Sequence, residues 1–124
     1  MKKFLSLGSQ PLANSYIKKS NLKRREKKFK LEVGFNKRNY LVSIINTVPK
    51  EKMFNNQYPY KSSESKTMRK SFKDLSKKIK KNYRPKFVIE IGSNDGAFLK
   101  NFSKNIAVGV EPCKNLAKLT KKKK

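Results

Sequence analysis

The chain has 124 residues and a formal net charge of +25, from 33 Lys and Arg against 8 Asp and Glu. Only 35% of it is hydrophobic, which suits at most one small domain with a modest core, and no run approaches the roughly 18 consecutive apolar residues of a membrane span. One cysteine, Cys113, and no histidine exclude an internal disulfide framework and leave too few donors for zinc; a reducing compartment follows, with the cytoplasm as the expected location. Lys outnumbers Arg 28 to 5 and Asn occurs 12 times, a pattern of base-composition bias spread over the chain. The charge therefore implies only nonspecific, salt-sensitive nucleic-acid binding. Met1-Lys2-Lys3 before Phe4-Leu5 hints at a secretory leader, but the apolar run stops at Ser6 and Pro11 follows, which argues against one.

Residues 1–28 read as mostly irregular, an extended arm with Leu5, Leu7, Leu12 and Ile17 as anchors and a turn at Gly8-Ser9-Gln10-Pro11. Leu12-Ala13-Asn14 is expected to pack against a later hairpin. Phe29, Leu31 and Val33 alternate with Lys30 and Glu32, the period of a strand, and Tyr40 to Ile45 reads as its partner. Gly34 to Asn39 would be the loop of this antiparallel hairpin. Pro49 to Phe54 predicts one short helical turn. Tyr58-Pro59-Tyr60-Lys61-Ser62-Ser63 has two readings, a ligand-lining segment or an aromatic loop that caps the core and starts the next helix. Met68, Phe72, Leu75, Ile79 and Tyr83 recur at helical spacing with lysines opposite, predicting an amphipathic helix capped near Ser62 or Ser63 and ended by Asn82 and Pro85.

The most informative stretch is Phe87 to Leu99. Phe87-Val88-Ile89-Glu90-Ile91 reads as a short buried strand. Gly92 and Gly96 then bracket Ser93, Asn94 and Asp95, and glycine there permits a sharp turn and close approach of a ligand. Ala97, Phe98, Leu99 and Phe102 have helical spacing, and Ile106 to Val110 predicts a second strand that ends in Glu111-Pro112. Glu111 lies 19 positions beyond Gly92, where the acid of a nucleotide-binding βαβ unit takes ribose hydroxyls. Pro112 suits the first turn of a following helix with Leu116 and Leu119 on its buried face. Asp95 is either a turn-stabilising side chain or a ligand contact. Glu90 either bonds the backbone of the loop or approaches the ligand.

Side by side, these segments resemble a group of class I S-adenosylmethionine-dependent methyltransferases, the sugar C-methyltransferases with a zinc-binding N-terminal domain. Glu90 to Leu99 is similar to the group's first motif, and Gly109-Val110-Glu111-Pro112, with Asn115 and Ala117, to its next. Gly8 with Pro11-Leu12-Ala13-Asn14 resembles its N-terminal signature. Tyr58 to Ser63 with Ser65 resembles its tyrosine–serine segment. The resemblance departs at the zinc ligands. Asn36 and Asn39 stand where the family has a cysteine pair in the hairpin, and an upstream pair has no counterpart before Leu5. Amides are poor zinc donors, so no zinc is expected.

The resemblance implies an α/β fold in three segments. These are a degenerate hairpin subdomain over 1–61, a linking helix over 62–84, and over 85–124 the start of a Rossmann-like methyltransferase sheet, incomplete because further strands are absent from the sequence. It implies methyl transfer from S-adenosylmethionine to a carbon of a nucleotide-linked sugar. Glu90, Gly92, Ser93, Asn94, Asp95, Gly96, Glu111 and Pro112 would form the cofactor site, and Tyr60 and Ser63 would close over it. Catalytic residues stay unassigned, since the family's acid–base groups would follow Lys124. The chain is thus expected to be a truncated or degenerate N-terminal portion, or one piece of a split gene whose C-terminal partner chain would complete it, and to be inactive alone. The competing readings are a small basic nucleic-acid-binding protein, from the charge, the Lys-rich helix and Phe35, Tyr40, Tyr58 and Tyr60, or a non-catalytic remnant.

Overall fold

Residues 1–122 are described by the computed structural model; the last two lysines of the 85–124 segment lie outside the described residues. The chain divides into two units, Met1–Met53 and Phe54–Lys124. Among the described residues no helix is long and apolar enough to cross a membrane.

In the first unit, β1 (Lys2–Pro11), β2 (Lys28–Asn36) and β3 (Leu41–Ile44) form an antiparallel sheet in the order β1-β2-β3, and α1 (Lys50–Met53) is the expected single turn. The arm read as irregular is therefore a strand over its first part. Its alternation is hidden because the ladder shifts between Lys3 and Leu5 and again between Ser6 and Ser9, with Gly8 at φ 70° in the second irregularity. All of β1 is exposed, so neither face had to be apolar. Gly34 does not begin the loop either. It lies inside β2, paired with Ser43, and a Cβ there would meet Ile45 Cδ1 at 3.0 Å and Lys2 O at 3.2 Å. The turn itself falls at residues 37–40. Leu12 and Ala13 line an apolar groove together with Phe29, Leu31, Ile44 and Met53. Gly34 is the one buried residue among the described residues of this unit. Polar ties at Glu32 supplement so thin a core. Glu32 Oε1 accepts from Lys3 Nζ at 2.9 Å, and Oε2 accepts from Asn46 Nδ2 at 2.8 Å. These bonds hold the Glu32 carboxyl below its usual range.

The second unit holds α2 (Lys66–Tyr83), β4 (Val88–Ile91), β5 (Ala107–Val110) and α3 (Lys114–Lys122). β4 and β5 are adjacent and parallel, in register Val88↔Ala107 to Ile91↔Val110. The cap of α2 is Ser65, whose hydroxyl accepts from Met68 N at 3.2 Å, rather than Ser62 or Ser63. Its C-terminus is Tyr83, closed by Arg84 in the left-handed region before Pro85. The buried stripe is also shifted from the one the spacing predicts. Leu75 and Tyr83 are exposed, at 47% and 77%, while Ser76 is buried and donates to Lys73 O at 2.8 Å. A small residue there lets the helix pack closely, which a count of apolar positions does not register.

The core comprises Leu99, Phe102 and Ala107, with Ile79, Val88, Phe98 and Ile106 packed against it. Phe72, Phe98 and Phe102 meet edge to face at 5.6 and 5.2 Å. The expected helix after the glycine turn is only a 3-10 turn, Leu99–Asn101. Asn101 Nδ2 donates to Ala97 O at 3.3 Å and Phe98 O at 2.9 Å, taking carbonyls that a longer helix would use. β4 is not the fully buried strand expected. Val88 and Glu90 face the core side with Ala107 and Gly109, whereas Ile89, Ile91, Val108 and Val110 lie on the other, exposed face. Pro112 precedes α3 by two positions. The helix starts with Leu116 N and Ala117 N donating to Cys113 O, and Leu116 is buried while Leu119 is half-buried.

Candidate functional site

Five of the ten candidate residues, Gly92 to Gly96, form a loop directly after β4, at the carboxyl ends of the two parallel strands, the edge at which open α/β sheets take ligands. Gly92, Asn94 and Gly96 all have positive φ, at 75°, 51° and 74°. The alternation of hand folds the loop tightly over the strand ends, where Gly92 N and Ser93 N both donate to Val110 O, at 2.8 and 3.2 Å. The two glycines then differ. At Gly96 a Cβ would meet Thr120 Cγ2 at 2.7 Å, so this glycine serves packing against α3. At Gly92 a Cβ would meet nothing within 4 Å, so its outer face is open to an approaching molecule.

Glu111, at the end of β5, grips the loop. Its Oε2 accepts from Asn94 N at 2.7 Å and its Oε1 from Cys113 N at 2.8 Å. An ionised carboxylate offers about four acceptor directions; these two N–H groups and the Cys113 thiol take three, which leaves room for one further donor. Glu90 stands one strand away, opposite Gly109. Its Oε2 is buried without a hydrogen-bond partner, and burial, aided by the charge of Glu111, pushes its carboxyl up to about 7. Ser93 is buried and packs where Gly109 leaves room; a Cβ on Gly109 would stand 2.5 Å from Ser93 Oγ. The thiol of Cys113 is fully buried and pushed up to about 11, by burial first and then by its contact with Glu111, which leaves it protonated and unreactive at neutral pH.

Asn94 and Asp95 turn the other way, toward the tyrosine–serine segment. Asn94 Oδ1 accepts from Ser62 N at 2.9 Å, and its Nδ2 donates to Tyr60 O at 3.2 Å. Asp95, with no exposed surface, accepts from Ser63 N at 3.3 Å. Asn115 Nδ2 donates to Tyr58 O at 2.8 Å. The structure thus brings Tyr60 and Ser63 to the loop, Tyr60 half exposed and Ser63 half buried, while Pro112 sits exposed beyond Glu111. Sequence reasoning missed Thr120 and Arg69, which donates from its guanidinium to Ser63 O. Arg69 lies four residues after the capping Ser65, a spacing that would have pointed one helical turn back. A cavity of about 110 Å³ lies on the Thr120 side of the loop, lined by Asp95, Gly96, Leu99 and Phe102, and its lining includes none of Glu90, Gly92 and Glu111.

In the first unit the two asparagines at the expected cysteine positions are engaged in the turn. Asn36 Oδ1 accepts from Arg38 N at 3.0 Å, and Asn39 Oδ1 accepts from Leu41 N at 3.2 Å. Among the described residues there is no group of three or more His, Cys, Asp or Glu side chains able to hold a metal ion. Zinc chemistry does not fit these donors.

Residues 1–54 match the model of a methyltransferase-associated family, Methyltransf_13, described as "Putative zinc binding domain". The match covers the first unit and suggests that this part of the chain is a methyltransferase-associated N-terminal domain. Among curated proteins none matches the chain.

Proposed function

We propose that the second unit is the cofactor-binding beginning of an S-adenosylmethionine-dependent methyltransferase, acting on a carbon of a nucleotide-linked sugar. The observation that carries this reading is the pairing of an open Gly92 with Glu111 at the ends of two parallel strands, in a chain whose first 54 residues match a methyltransferase-associated domain. S-adenosylmethionine would supply an electrophilic methyl on sulfonium. Gly92 leaves space for a ligand to lie against the main chain. Glu111 keeps acceptor capacity for a ribose hydroxyl while holding the loop through Asn94 N and Cys113 N. Glu90, half-buried and with its buried Oε2 lacking a partner, offers a carboxyl that gains charge when a cation comes near. Ser93 and Gly96 shape the turn, and Pro112 directs the chain away from it. Tyr60 and Ser63 would border the ligand from the upstream side.

On this reading the general base and the sugar pocket come from polypeptide beyond the residues named here, either a continuation of this chain or a C-terminal partner chain in the cytoplasm. Proximity and in-line alignment would provide most of the rate, as is usual when the leaving group is already activated. The high positive charge adds weak, salt-sensitive attraction to nucleic acids as a side effect.

The test is an NMR titration of the isotopically labelled chain with S-adenosylmethionine, which detects weak binding. Amide shifts centred on Gly92, Ser93 and Glu111 are expected. The reading fails if none of these amides moves at millimolar cofactor.

A further inference from the structure

The two residues at the tip of the glycine loop were expected to meet the cofactor, but their side chains are committed elsewhere. Asn94 takes one backbone donor and gives to one backbone acceptor of the 58–63 segment, at Ser62 N and Tyr60 O. Asp95, fully buried, takes the next donor along, Ser63 N. Asn115, at the start of α3, holds Tyr58 O, and Arg69 holds Ser63 O from α2. Backbone groups of Tyr58, Tyr60, Ser62 and Ser63 are therefore fastened by side chains from three separate elements. Such a pattern recognises main chain, independent of what Tyr60 and Ser63 carry.

We propose that Asn94 and Asp95 are positioning residues, a clamp that seats the Tyr58–Ser63 strap on the glycine loop and so sets where Tyr60 and Ser63 stand. The left-handed backbone of Asn94 is part of the device. With φ at 51° the residue presents its amide to the strap and its own N–H to Glu111, which links strap, loop and β5 in one network. Asn tolerates this conformation better than most residues, and Gly tolerates it best. That the strap borders a cofactor rests on the function proposed above; the clamp itself consists of protein hydrogen bonds alone.

The experiment is amide hydrogen exchange by NMR on the full chain, comparing wild type with Asn94→Gly, Asp95→Ala and Asp95→Asn. Asn94→Gly keeps the backbone geometry and removes only the side-chain bonds. Protection of the Ser62 amide should fall about tenfold, as expected when a hydrogen-bonded contact of this size is lost and the segment opens locally. The amides of Val88 and Gly92, bonded to Ile106 O and Val110 O, should keep their protection and so report an intact fold. Asp95→Ala should release the Ser63 amide and shift the Tyr60 ring resonances, and Asp95→Asn, which keeps an acceptor oxygen, should restore both. The clamp is refuted if Ser62 and Ser63 exchange as in wild type when Asn94→Gly and Asp95→Ala remain folded. Should Asp95→Ala not fold, Asn94→Gly decides alone. Absence of S-adenosylmethionine shifts in the wild type, with the exchange results as expected, would overturn the cofactor reading and leave the clamp standing.

Discussion

Replacing Glu90 by Gln should stabilise the protein above neutral pH and leave it nearly unchanged in acid. The Glu90 carboxyl is pushed from 4.5 up to about 7, chiefly by burial and then by the charge of Glu111. Below the unfolded value the group is protonated in both states and costs nothing. As pH rises past 4.5 the unfolded chain ionises first, so stability falls until the folded carboxyl also ionises near pH 7, and above that the whole penalty is present. The displacement corresponds to about 3 kcal/mol at most; with part of the side chain near solvent, roughly 1–2 kcal/mol is the realistic size. For a unit of this length that is a rise in Tm of the order of 5–10 °C. The chain has no Trp, so urea and thermal melts would be followed by circular dichroism at pH 4 and pH 8. The difference between wild type and Glu90→Gln cancels the titration of the other carboxyls. Equal differences at the two pH values, or a variant less stable than wild type at pH 8, would refute the reasoning.

Gly109→Ala should destabilise the second unit by about 1–3 kcal/mol through overpacking, since its Cβ would stand 2.5 Å from Ser93 Oγ and 2.7 Å from Leu99 Cδ1; an unchanged Tm would show that these side chains yield freely. The purified protein should carry no stoichiometric zinc and melt at the same temperature with and without a chelator, because Asn36 and Asn39 hold Arg38 N and Leu41 N instead of a metal; one tightly held zinc per chain in elemental analysis would contradict this.

Elements whose period is exposed in the residue order were legible without coordinates. The alternation of Phe29, Leu31 and Val33, the run from Lys66 to Tyr83, and the apolar pair of segments around Gly92 each reflect local backbone preference and one-dimensional spacing. The order of the candidate site was legible for the same reason, as Gly92 and Glu111 are set apart by the length of one strand-to-strand connection. What the residue order could not reveal is partnership. β1 is a strand only because β2 offers it a ladder, and its two register shifts erase the alternation that would announce it. On α2 Ser76 is buried and Leu75 exposed, a choice of face made by tertiary contacts and not by the hydrophobicity of the residues.

The division of labour within the glycine loop is likewise a tertiary fact. Sequence treats Gly92 and Gly96 alike, yet a Cβ would meet Thr120 at Gly96 and nothing within 4 Å at Gly92. Asn94 and Asp95 look like ligand contacts beside those glycines. Their partners, Ser62 and Ser63, are 32 residues away in the chain, and no local rule links them. Composition alone determined the charge and the poverty of metal donors, which no folding can change. Which polar atoms are spent on the protein's own backbone, and which face outward, depended on contacts between distant segments, because a hydrogen bond is decided by position in space and not by position in the chain.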